Sequence, residues 1–207
     1  MISKQKKFVF VHIQKTAGNS IQRALEPFGE DAIVENPKQR KHNAELGAIN
    51  RFGIKGAYIN VGKHAKLSQI HQHWNTEALG DWNQYLKFTC VRNTWDRLVS
   101  LYFSPHFGRT KFDAQDFHRF IEDTASMSQS AFVMVDSRLG IDRFLRFEHL
   151  AEDFGELCAQ LGIQATLPHL NQSVHAAYAQ YYDPEARKLV EDLYAEEIEQ
   201  FGFKFQS

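Results

Sequence analysis

The sequence is poor in cysteine, in long apolar runs and in any excess of charge. Only Cys90 and Cys158 occur among 207 residues, too few for a disulfide framework. Cys90 falls in an apolar run and Cys158 on the apolar face of a predicted helix, so both read as buried thiols in a reducing compartment. No segment approaches the ~20 apolar residues that cross a bilayer. The start, Met1-Ile-Ser-Lys-Gln-Lys-Lys followed by Phe8-Val-Phe-Val-His-Ile, is basic and then apolar. Its run is shorter than a signal-peptide core, and no small-residue cleavage site follows. A cytoplasmic protein without a membrane span is therefore expected. Lys and Arg (24) nearly balance Asp and Glu (25), leaving a net charge of −1. A broad basic field for nucleic acid is missing, and no basic run interleaves with aromatic residues. Any anion site must be local.

What is present is ample core material. Hydrophobic residues make up 43% of the chain and Phe alone contributes 17, enough for one domain spanning residues 1–207. No internal repeat or low-complexity stretch interrupts it. Residues 8–13 read as a buried strand, followed by a Gly-containing turn and a helix over 19–26. Residues 29–56 are polar, with the basic cluster Lys38-Gln-Arg-Lys-His42 as a solvated loop. A short strand near 57–61 leads to a helix near 65–74, with Leu67, Ile70 and Trp74 on one face. A second clear strand, 86–91, runs into a helix with Trp95, Leu98, Val99 and Tyr102 on its apolar stripe. A helix over 113–125, a strand over 142–147, a helix from Leu150 to Leu161 and one final helix from Asp183-Pro184 to about Gln200 complete the reading. Alternating strands and helices indicate an α/β fold, a P-loop-like three-layer domain whose central, mostly parallel sheet is flanked by helices.

In such sheets ligands bind beyond the carboxyl ends of the strands, which singles out two junctions. The first is Gln14-Lys-Thr-Ala-Gly-Asn-Ser20. A helix N-terminus there offers unpaired N–H groups to a phosphate, Gly18 permits close backbone approach, Lys15 adds a charge, and Thr16, Asn19 and Ser20 add donors. The loop is not a Walker A motif, because its one glycine follows the lysine. A capped helix with a turn glycine is the plainer alternative. The second junction is Arg92-Asn-Thr-Trp-Asp-Arg97. Arg92 ends the strand, and Ser100 lies two turns along the helix on another flank than the apolar stripe, so the two can grip one phosphate. Arg97 reads as a solvated helix arginine or as a partner of Asp96 or another acidic neighbour.

These two stretches carry a resemblance. Phe-Val-His-Ile-Gln-Lys-Thr-Ala-Gly-Asn-Ser-Ile looks like the 5′-phosphosulfate loop of the carbohydrate sulfotransferases that use 3′-phosphoadenylyl sulfate (PAPS). Phe-Thr-Cys-Val-Arg-Asn-Thr-Trp-Asp-Arg-Leu-Val-Ser-Leu-Tyr resembles their 3′-phosphate motif. The heparan 2-O- and chondroitin-type enzymes and their bacterial relatives are most similar in pattern. The resemblance implies that Lys15, Thr16, Ala17, Gly18, Asn19 and Ser20 hold the 5′-phosphosulfate, that Arg92 and Ser100 hold the 3′-phosphate, and that Asn171 and Ser173 lie in a loop over the nucleotide. It departs at Gln14 and Thr94, where the family carries proline, and at Asn19, where it carries threonine. The product would be 3′-phosphoadenosine 5′-phosphate (PAP), and the acceptor a carbohydrate or small molecule.

Sulfuryl transfer to a hydroxyl needs a proton acceptor, and a histidine suits that role. His64, in Gly62-Lys-His-Ala, follows the strand at 57–61 and matches the position of the base in related sulfotransferases; a helix-capping or buried histidine is the plainer reading. Lys15 is the expected second catalytic group, neutralising the departing phosphate. His12 reads as a satisfied core histidine, while His106, His169 and His175 fall in loops as candidate acceptor contacts. His71 and His73, two apart on a helix, are poorly spaced for a metal; no metal cluster is evident and none is required. Two other functions remain open. One is a nucleotide-dependent kinase-like phosphotransferase, for which Asp136 and Asp142 are the metal-ligand candidates; the other is a non-catalytic PAP-binding module.

Overall fold

The computed structural model describes residues 1–29, 62–168 and 176–206. The polar stretch 30–56, the strand expected near 57–61, and His169, Asn171, Ser173 and His175 lie outside the described residues.

Strand β1 (Ile2–Ser3) pairs antiparallel with β2 (Phe8–Val11), which pairs parallel with β3 (Leu86–Val91). A hairpin of β4 (Met134–Val135) and β5 (Arg138–Leu139) stands apart, and β6 (Arg143–Arg146) returns to pair parallel with β3. The main sheet thus runs β1-β2-β3-β6. Side-chain alternation divides it into two cores. Phe8, Phe10, Phe88, Cys90 and Leu145 face one side, where helix α1 (Gly18–Leu25) and a later helix over Leu150–Leu161 cover them. Val9, Val11 and Val91 face the other.

That second face is covered by α2 (Leu67–Gln72), α3 (Thr76–Leu79), α4 (Thr94–Tyr102), α5 (Ala114–Asp123) and α6 (Ser130–Val133). Helix α7 (Leu150–Leu161) contributes Phe154, Leu157 and Cys158 to the phenylalanine side. The chain closes with α8 (Pro184–Leu193) and α9 (Ala195–Phe201) against the valine side. This is an α/β fold of three layers with a mostly parallel sheet, as the pattern of the sequence implies.

Two features differ from the sequence reading. The single final helix is two helices, broken at Tyr194, whose backbone leaves the helical region (φ −113°, ψ 20°). The Tyr194 hydroxyl is held in the core, donating to the Ile121 carbonyl at 3.2 Å and lying 3.1 Å from Thr124 Oγ1. The hairpin was not legible because its turn is Asp136-Ser137, both left-handed (φ 49° and 61°), rather than the Asn-Gly or Asp-Gly that signals such turns.

Candidate active site

The tips of all three parallel strands open on one cavity of about 1710 Å³. Residues 14–20 follow β2, Arg92 follows β3, and Phe147 to His149 follow β6; each group lines it. The volume exceeds the ~300–1,000 Å³ usual for one small ligand. There is room for two reactants side by side.

The loop after β2 is built so that its carbonyl oxygens are occupied. His12 O lies 2.9 Å from His64 Nδ1, and Ile13 O accepts from Thr16 Oγ1 at 3.0 Å. Gln14 O accepts from Arg97 Nε at 3.0 Å and Lys15 O from Arg92 Nη1 at 3.1 Å. Ala17 O accepts from the N–H groups of Ser20 and Ile21 as α1 begins. In a trans peptide the N–H points opposite to the carbonyl before it. Holding the Gln14 oxygen on Arg97 and the Lys15 oxygen on Arg92 therefore turns the following N–H groups the other way. Among the described residues, the N–H groups of Lys15, Thr16, Ala17 and Gly18 find no backbone acceptor. Lys15 (φ 67°) and Ala17 (φ 63°) are left-handed on either side of Thr16, the alternation that forms an anion-binding nest. The nest leads into the positive end of α1. Burial, and then the nearby Arg92, pull the Lys15 pKa below its usual value.

The second junction is held as firmly. Arg92 N donates to Gln129 Oε1 and Arg92 O accepts from Gln129 Nε2, both at 2.8 Å, so a side-chain amide extends the ladder past the end of β3. Gln129 is in turn held by the buried Glu197, whose Oε1 accepts from Gln129 Nε2 at 2.6 Å and from Thr94 Oγ1 at 2.7 Å. Glu197 Oε2 also accepts from the Gln129 N–H. Asn93 caps α4 and donates its own N–H to Glu148 at 2.8 Å. The Arg92 guanidinium lies 4.1 Å from the Phe147 ring centroid and bonds Asp96 Oδ2 through Nε at 2.7 Å. Ser100, nearly buried, faces the same cavity from the flank of α4.

His64 also lines the cavity. Because a carbonyl only accepts, His64 Nδ1 carries the hydrogen toward His12 O and Nε2 keeps its lone pair. Burial lowers the His64 pKa most; Lys63, His106 and Arg97 push the same way, and the bond to the His12 carbonyl opposes them. The imidazole is neutral at neutral pH. His12 departs from the expectation of a satisfied core residue. It is buried, its ring meets that of His64 edge-on at 4.6 Å, and among the described residues its Nδ1 has no hydrogen-bond partner.

The structure thus brings together Lys15, Ala17, Gly18, Asn19, Ser20, His64, Arg92 and Ser100 around one cavity. Thr16 is placed beneath the loop, with its hydroxyl turned to Ile13 O rather than toward the cavity. Asn19 is engaged through Oδ1, which accepts from Lys63 Nζ at 2.7 Å. Arg97 is not solvated and does not pair with Asp96; it is fully buried and reaches two carbonyls. Of the aromatic residues Trp74, Trp82, Trp95 and Phe107, only Phe107 lines the cavity. Sequence reasoning missed Lys63, Gln129, Glu197 and Phe147. Lys63 stands beside His64 in the same tetrapeptide and could have been noticed. Gln129 and Glu197 carry no local signal, since their partners are remote in sequence. Neither kinase candidate reaches the cavity: Asp136 sits in the hairpin turn, and Asp142 accepts from Lys87 N at 2.7 Å before β6 begins. Among the described residues no group of three or more His, Cys, Asp or Glu could hold a metal, and no helix is long and apolar enough to cross a membrane.

The model of the sulfotransferase family (Sulfotransfer_2) matches residues 1–204. No curated protein and no solved structure matches the chain.

Proposed function

Since the chain belongs to the sulfotransferase family, we propose that it transfers a sulfuryl group from PAPS to a hydroxyl of a carbohydrate or sugar-containing acceptor, with His64 as general base. The observation that carries this reading is the pair of anion grips, the nest after β2 and Arg92 after β3, on the cavity that also holds the free Nε2 of His64. The donor set fits a nucleotide with anionic groups at two ends: a lysine and outward N–H groups at one end, an arginine and a hydroxyl at the other. Lys15, Asn19, Ser20 and the backbone from Lys15 to Gly18 would hold the 5′-phosphosulfate. Arg92 and Ser100 would hold the 3′-phosphate, and Asn171 and Ser173 would close over the nucleotide. When bound, PAPS supplies an activated sulfuryl group whose leaving group is PAP.

The chain's own residues then divide the work. His64 Nε2 accepts the proton of the acceptor hydroxyl, and the imidazolium so formed keeps its Nδ1–H on the His12 carbonyl. Lys15 and the nest neutralise charge on the departing phosphate, where preorganised donors in a partly dry site act most strongly. Phe107 and His106, on the same wall, offer an apolar face and a polar contact to the acceptor.

Calorimetry with PAP and a PAPS-dependent acceptor screen read by mass spectrometry test the proposal. Arg92→Ala is expected to weaken PAP binding about 10- to 100-fold, as for loss of a charge-assisted bond worth roughly 1.5–3 kcal/mol. His64→Ala is expected to lower turnover by ~10²–10⁴ while leaving PAP affinity intact. Unchanged affinity in the first variant removes Arg92 from the site. Equal turnover in the second removes His64 as the base, whereas PAP binding with no turnover in the wild type leaves a non-catalytic binding module. A purine nucleoside triphosphate that stabilises the protein more than PAP does would favour the kinase-like alternative.

A further inference from the structure

Arg97 is fully buried on α4. Its Nε donates to Gln14 O at 3.0 Å and its Nη2 to Met127 O at 2.9 Å, so one planar group fixes two carbonyls on separate segments. Burial pulls its pKa down and the Glu197 carboxylate opposes that shift. A buried charge is a poor stabiliser, because desolvation offsets most of what its bonds return. What a guanidinium does better than an apolar residue is set direction, through donors in a rigid fork. The direction set here is that of the Gln14 peptide, next to the Lys15 carbonyl that Arg92 holds.

We infer that Arg97 is a positioning residue for the donor: by holding the Gln14 carbonyl it turns the loop's N–H groups toward the cavity, and so governs anion affinity without touching the anion. Arg97 does not line the cavity, and its Nε and Nη2 donors are engaged by the Gln14 and Met127 carbonyls. The two grips are thereby one unit, since Arg92 at the end of β3 and Arg97 on the helix that follows it both hold carbonyls of the loop after β2. This inference rests on the donor reading given above.

The test compares two ligands, PAP and adenosine 3′-monophosphate, which lacks the 5′ group that the loop would hold. Calorimetric affinities are measured for the wild type, Arg97→Met, Arg97→Lys and a control, Leu157→Ala, in the core on the opposite face of the sheet and away from the cavity lining. The wild type is expected to prefer PAP, and Arg97→Met to shrink that preference at least tenfold while changing adenosine 3′-monophosphate binding less than threefold. Arg97→Lys, which keeps the charge but loses the fork, is expected to fall between and keeps the test open if Arg97→Met does not fold. A preference left intact in Arg97→Lys and Arg97→Met, or an equal loss for both ligands matching Leu157→Ala, overturns the positioning role alone. A wild type that binds neither ligand overturns the donor reading and the inference with it.

Discussion

A methyl group added to Gly18 would place its Cβ 2.1 Å from His12 Cδ2 and 2.2 Å from Nε2. The constraint is contact, since Gly18 does not adopt a left-handed conformation. His12 has little freedom to yield: it is buried, and its ring lies 5.7 Å from Phe10 and 4.6 Å from His64. Gly18→Ala is therefore expected to cost about 1–3 kcal/mol, as overpacking does, and to weaken PAP binding by displacing the start of α1. Thermal denaturation together with calorimetry checks this; a variant with unchanged melting temperature and affinity would show that the ring moves aside freely. The sequence marks Gly18 as a place for close approach, but points to the anion as what approaches. The histidine was hidden because its contact crosses a turn, and periodicity does not report contacts of that kind.

Among the elements, the junction of β3 and α4 depends most on residues outside it. Gln129 bonds both backbone groups of Arg92 and passes them on to Glu197. Gln129→Leu strands the Arg92 N–H, the Arg92 carbonyl and part of the Glu197 carboxylate in a dry interior. Each such group left alone costs roughly 1–3 kcal/mol, so a loss of at least about 3 kcal/mol is expected, read as a fall in melting temperature. A loss below about 1 kcal/mol would mean that water reaches this junction. The strands 8–13 and 86–91 and the helices that follow them were legible because their apolar periods are clean and both faces of the sheet are covered. So, from the same junctions, was the cluster of Lys15, Gly18, Arg92 and Ser100. The break at Tyr194, the hairpin and the Gln129–Glu197 support were not, because each is decided by a partner far along the chain, as Thr94 and Glu197 illustrate at a separation of 103.

For the molecule as a whole, two histidines at the strand tips link stability to pH. Burial, aided by positive neighbours, holds His12 well below its ordinary 6.5 and lowers His64 from the same value. The unfolded chain takes up these protons near pH 6.5, whereas the folded protein resists them until lower pH. Their contribution to stability is therefore complete above about pH 6.5 and is lost as pH falls through the depressed folded values. The melting temperature is expected to drop between about pH 6.5 and 5, and His12→Gln to flatten that slope. An identical slope in the variant would assign the acid sensitivity to other groups. The base role proposed for His64 needs the same neutral form, so under that proposal stability and turnover fall in the same direction on the acid side.

The occupied carbonyls around Gln14 and Lys15 have a consequence for kinetics. A loop whose carbonyls are tied by the protein's own arginines needs no rearrangement of its own to receive an anion. Little ordering entropy is then charged to that loop at docking, and the charges of Lys15 and Arg92 favour the approach of an anion. Discrimination among anions would rest on how long each one stays.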